Sequence, residues 1–174
     1  MKKEILSLML FIFIVTSSNF AQESYYNTEH KSQMKTLELM LGEWEGSGWM
    51  FNRTSRQKET FTQKEVISYQ LDSTALLIHG KGYANGQIIH DALAIITADT
   101  ANTYSMSSFL GDGKRGVYQL NQKEDGSWEW RIQTEKGTIV YTIILTETTW
   151  NEVGVFDMNG NLFPFFEMNL KKKQ

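Results

Sequence analysis

A chain of 174 residues with 41% hydrophobic and 13% aromatic residues and one proline (Pro164) can bury an ordinary single-domain core and is too apolar to stay unfolded. Its lack of cysteine excludes disulfides, thiolate nucleophiles and cysteine-bound zinc or iron–sulfur clusters. A formal net charge of -3, with a lysine tail at Lys171, Lys172 and Lys173 in place of a basic patch, argues against nucleic acid as a partner.

The chain opens with Lys2 and Lys3, an apolar run from Ile5 to Val15, and small or polar residues leading to Ala21. This reads as a secretory signal peptide over residues 1–21, removed near Ala21. Its apolar run is well short of the roughly 20 residues that cross a bilayer as a helix. The mature protein is therefore expected to be secreted or periplasmic, with no stable membrane insertion. Residues 22–32 are polar and patternless and read as a linker to a domain over 33–172. At its start Met34, Leu37 and Leu41 recur at helical spacing before Gly42, which predicts about two turns of helix that must dock on something apolar to persist.

From Trp44 onward the pattern changes to alternation broken by turn residues. Strands are predicted at 44–52, 60–71, 75–83, 87–97, 104–110, 117–120, 128–134, 138–146, 150–156 and 162–170. Asn85-Gly86 and Asn159-Gly160 supply the positive φ angles of tight hairpin turns. About ten strands joined by short turns predict an all-β fold, a single closed or nearly closed antiparallel meander β-barrel with the short N-terminal helix plugging one end. A β-sandwich is the alternative.

Side-chain parity assigns faces. Trp44, Gly46, Gly48 and Met50 share one face of the first strand and Glu43 and Glu45 lie on the other, so the Trp44 face is placed inward to spare buried carboxylates. By the same argument Phe61, Glu65, Ile67, Tyr69 and Leu71 point in, as do Trp128, Trp130 and Ile132. A two-residue loop at Asn85-Gly86 would pair Lys81 with His90 and His79 with Ala92. That leaves His79, Lys81 and His90 outside, and Ile78, Gly80, Ile89, Asp91, Leu93 and Ile95 inside. A lysine between two histidines opposes a cation, so no metal is expected. Glu65 and Asp91 become two inward carboxylates, usable as an acid and base pair or serving as structural polar groups bonded to hydroxyls. Gly80, Gly82 and Gly86 do not match a dinucleotide fingerprint.

The entry LELMLGEWEGSGW, followed by a glycine-bearing hairpin and strands to the C-terminus, resembles the calycin-like, broadly lipocalin-like secreted bacterial barrels of unknown function. That resemblance implies a closed barrel around a small-molecule cavity, with Leu41, Gly42, Trp44, Gly46 and Gly48 as the entry motif. The nitrobindin-like barrels have a similar opening and hold haem through a histidine near the C-terminal strand. Here no histidine follows His90, so neither haem nor another cofactor is expected. The function expected is a binding protein for a small apolar or amphipathic molecule, held by Trp44, Gly46, Gly48, Met50, Glu65, Tyr69, Asp91, Met106 and Trp130. The alternatives are a hydrolase-type enzyme using Glu65 and Asp91, and an envelope interaction protein with a solid core. A transmembrane barrel would need an apolar outer band, where this sequence puts Glu43, Glu45, Lys64, Glu129 and Arg131.

Overall fold

The computed structural model describes residues 25–52, 55 and 57–174. The expected signal peptide lies outside them. The first element, α1 (Thr28–Met34), starts where Asn27 Oδ1 accepts hydrogen bonds from the backbone N–H groups of Glu29 and His30 at 3.0 and 3.2 Å, satisfying donors that a helix start leaves unpaired. It begins inside the stretch read from sequence as linker. Of its residues only Met34 is buried, so it carries no apolar stripe for periodicity to detect. The chain continues as a 3₁₀ segment, Lys35–Met40, which buries Leu37 and Met40.

Ten strands follow: β1 (Gly42–Phe51), β2 (Lys58–Gln70), β3 (Ala75–Ala84), β4 (Gln87–Thr100), β5 (Thr103–Leu110), β6 (Arg115–Gln122), β7 (Trp128–Thr134), β8 (Gly137–Leu145), β9 (Thr149–Met158) and β10 (Asn161–Lys172). Each pairs antiparallel with its neighbours in sequence, and β10 returns to β1 to close the barrel. Closure leaves no edge strand exposed to foreign chains. The all-β meander barrel read from the sequence is therefore the fold, and the sandwich alternative falls.

At the closing seam β1 and β10 lie so near each other that a Cβ at Gly46 would sit 2.0 Å from the Asn169 carbonyl oxygen, and one at Gly48 would sit 2.2 Å from that of Glu167 and 2.6 Å from Phe61 Cζ. Backbone cannot yield as a side chain can, so only glycine fits.

The helical segment stoppers one end. Tyr69 and Tyr104 donate hydroxyl hydrogen bonds to the carbonyls of Met34 and Gln33, each at 3.0 Å. Lys31 pairs with Asp72 at 2.7 Å in the β2–β3 turn. Trp44 is fully buried beneath this plug, donates its indole N–H to the Met40 carbonyl at 2.8 Å, and meets Trp150 edge to face with centroids 5.9 Å apart. Around it Met34, Leu37, Leu76, Leu120 and Leu170 are all inaccessible to within 2%. Packing at that end is complete.

The β3–β4 hairpin departs from the expected register. Its turn has the positive φ angles foreseen, 51° at Asn85 and 74° at Gly86. Gly82, however, pairs with His90 while Tyr83 pairs with Ile88, so Ile89 is an extra residue on β4. A bulge of one residue exchanges the faces of the strand beyond it. Lys81 thus pairs with Asp91 and His79 with Leu93. The sequence reading is corrected accordingly: His90 lines the interior, whereas Asp91, Leu93 and Ile95 face outward. Leu71, also expected inside, sits in a turn at φ 50° and is 68% exposed. On the outer wall charged side chains pair with one another, as in Lys64 with Glu45 and Arg131 with Glu129, both at 2.8 Å.

Candidate functional site

Beyond the packed floor the lumen widens into a cavity of about 340 Å³, bounded toward the plug by Met40 and Trp150 and around its sides by Ile78, Ile96, Met106, Tyr118, Trp130 and Tyr141. A further lobe of about 210 Å³ reaches Met50, Phe61, Phe166 and Met168, and shares Glu65, His90, Trp130, Tyr141 and Glu152 with the first. The main lobe is at the lower end of the roughly 300–1,000 Å³ typical of ligand pockets.

Two carboxyl groups reach into this largely apolar space from strands far apart in sequence. Glu65 comes from β2 and Glu152 from β9, and each is only 8% exposed. The position of Glu65 depends on β3, where Gly80 and Gly82 stand directly across from Glu65 and Gln63. A Cβ at Gly80 would lie 2.5 Å from Glu65 Oε2, and one at Gly82 would lie 2.5 Å from Gln63 Oε1. The two bare positions let both polar side chains lie flat across β3. Gln63 Nε2 donates to Glu65 Oε1 at 2.7 Å, which leaves Glu65 Oε2 buried without a hydrogen-bond partner. Glu152 is better satisfied, its oxygens accepting the indole N–H groups of Trp130 and Trp150, each at 3.3 Å.

Burial sets the electrostatics. Removal from water pushes the Glu65 carboxyl up to about 7; the Gln63 amide works against that shift and the neighbouring Glu152 charge adds to it. Glu152 is also raised by burial to about 7, opposed by the two indole donors. Desolvation disfavours the ionised form of each. His90 lines both lobes although the residue as a whole stays exposed; partial desolvation lowers its pKa, with Asp91 acting in the opposite direction. Trp130 stacks on Tyr141 with centroids 4.1 Å apart and planes 8° from parallel, and Tyr118 leans against Trp130 at 5.4 Å. Among the described residues no three histidine or carboxylate side chains gather as a metal site.

The residues singled out from sequence divide into several groups. Glu65, Met106 and Trp130 line the main lobe, and Met50 lines the second. Trp44 and Tyr69 belong to the floor and plug, while Gly46 and Gly48 belong to the seam; all four are absent from both lobes. Asp91 is outside the barrel, 3.1 Å from His79 Nε2 and 3.6 Å from Lys81 Nζ. The hydrogen bond from His79 holds it below the usual carboxylate range, and Lys81 adds to this. With Glu65 inside and Asp91 outside, the alternative of an acid and base pair made by those two residues falls. Sequence reasoning missed Gln63, His90, Tyr118, Tyr141 and Glu152. For Glu152 a signal was available, since it shares strand parity with the inward Trp150 and Gly154.

No family model matches the sequence, and no curated protein matches it. Among solved structures, the chain is similar to Rv2717c from M. tuberculosis with a TM-score of 0.67 at 12% identity, covering 82% of this chain and 98% of that one. It is also similar to the S-type phycobiliprotein lyase CPES from Guillardia theta, with a TM-score of 0.55 at 12% identity, covering 85% of this chain and 98% of the lyase. At such identities the likeness establishes fold alone, and that fold is the closed antiparallel ten-strand barrel.

Proposed function

We propose that this chain is a binding protein that holds a small amphipathic molecule inside its barrel. The observation that carries the reading is the unfilled lumen: one end is packed to completion, yet the other half keeps a cavity of about 340 Å³ walled by Met106, Tyr118, Trp130 and Tyr141. Cores close to native density when nothing else must fit, so a retained cavity with aromatic walls and a few converging polar groups favours a guest over a solid-cored interaction protein. The calycin-like fold is consistent with this use. The N-terminal leader pattern favours an activity outside the cytoplasm, and the mass of the mature N-terminus would check it by showing cleavage near Ala21.

Native mass spectrometry of the protein purified from its own host should reveal a co-purifying small molecule, and amphipathic probes should quench Trp130 fluorescence by entering the lumen. Protein that repeatedly carries nothing and responds to no probe would overturn the reading.

A further inference from the structure

We infer that the lumen takes a cationic amphiphile, a small molecule whose protonated nitrogen is received by the unpartnered Oε2 of Glu65 and whose apolar body lies against Tyr118 and Trp130. The inference rests on the binding function proposed above and adds the chemical class of the guest.

Three observations support it. First, Glu65 is more than nine-tenths buried and one of its carboxyl oxygens has no hydrogen-bond partner, although buried polar atoms are almost always paired. Second, the position is built: Gly80 and Gly82 are bare where any Cβ would collide with Glu65 or Gln63, and Gln63 holds the other oxygen at 2.7 Å. Third, among the described residues the carboxyls that line both lobes have no cationic side chain beside them. Glu65 from β2 is faced by Glu152 from β9, His90 from β4, and the phenols of Tyr118 and Tyr141. Among the described residues no lysine or arginine lines either lobe; Lys114 and Arg115 stand at the outer mouth.

A cation brought into this space meets the unpartnered Glu65 Oε2 and the faces of aromatic rings, and both attract it where water is scarce. An anionic guest would be repelled, and a guest with no donor would leave Glu65 Oε2 as it is. The desolvated His90 does not compete near neutral pH, because its pKa is lowered.

Three probes on one frame separate charge from shape: 4-phenylbutylamine, 4-phenylbutanol and 4-phenylbutyrate, titrated by calorimetry at about pH 8, where lumen carboxyls raised to about 7 are ionised. The amine should bind about tenfold more tightly than the alcohol, and the acid most weakly. Glu65→Gln should weaken the amine about tenfold and leave the alcohol within about twofold. Asp91→Asn removes the same charge from the outer wall and should change neither. Urea unfolding of each variant checks that it folds. Equal or tighter binding of the alcohol or acid, or an amine affinity untouched by Glu65→Gln, would overturn the cation inference while leaving a binding protein. Failure of all three probes to bind would overturn both.

Discussion

Raising the pH from about 5 to about 8 should weaken this fold, and replacing a lumen carboxyl should relieve the weakening. Glu65 and Glu152 have pKa values raised from 4.5 to about 7 in the folded chain, each through burial. A group whose folded pKa lies above its unfolded value stabilises fully below the unfolded pKa, and that stability is lost as pH rises through the folded one. The window is therefore 4.5 to about 7. A displacement of about 2.5 units at 1.36 kcal/mol per unit makes the loss roughly 3 kcal/mol for one such carboxyl. In a domain of this size that corresponds to roughly 6–12 °C in Tm. Urea unfolding followed by tryptophan fluorescence, with wild type, Glu65→Gln and Glu152→Gln compared at both pH values, measures it directly. Glu65→Gln keeps an oxygen for the Gln63 amide and removes one of the two raised carboxyls, so its decline across the window should be about half the wild type's, the rest coming from Glu152. A wild type whose stability is flat or rising there, or a Glu65→Gln variant with the wild-type slope, would refute the reasoning. Asp91 has the opposite sign: its lowered pKa means stability that is lost only as pH falls into the acid range, clear of this window.

The remaining predictions separate the seam, the floor and the cavity. Gly48→Leu would drive a side chain into the Glu167 carbonyl and the Phe61 ring, and thermal unfolding should show a loss of about 3 kcal/mol or more, felt as misfolding rather than as weaker binding. Trp44→Phe removes the donor to the Met40 carbonyl and should cost about 1–3 kcal/mol in urea, yet leave probe affinity unchanged because Trp44 lines neither lobe. Gly80→Ala pushes a methyl against the Glu65 carboxyl; calorimetry should show amine binding reduced about tenfold, with a stability loss of about 1–3 kcal/mol.

Several features of this architecture were readable from the residues alone. Alternation with Asn-Gly turns predicts consecutive antiparallel strands, and a meander of that length closes to hide its edges. The inward facing of Trp44, Glu65, Tyr69 and Trp130 follows from parity and from the cost of burying Glu43, Glu45 or Lys64. These are local properties, decided by neighbours two residues away.

Three other features were settled only in the tertiary structure. The bulge at Ile89 turns His90 inward and Asp91 outward, and parity has no means of registering an unpaired residue. Gly46 and Gly48 suggested space for a ligand, but β10, more than a hundred residues along the chain, occupies that space with backbone. Glu65 was legible as an inward carboxyl; its partner in the lumen was not, because Glu152 is brought beside it by the circuit of β3 through β8. Strand, turn and facing are written in short-range pattern. Which charge meets which, and whether a bare glycine leaves room or is filled, depends on register and on contacts between strands that the local pattern does not specify.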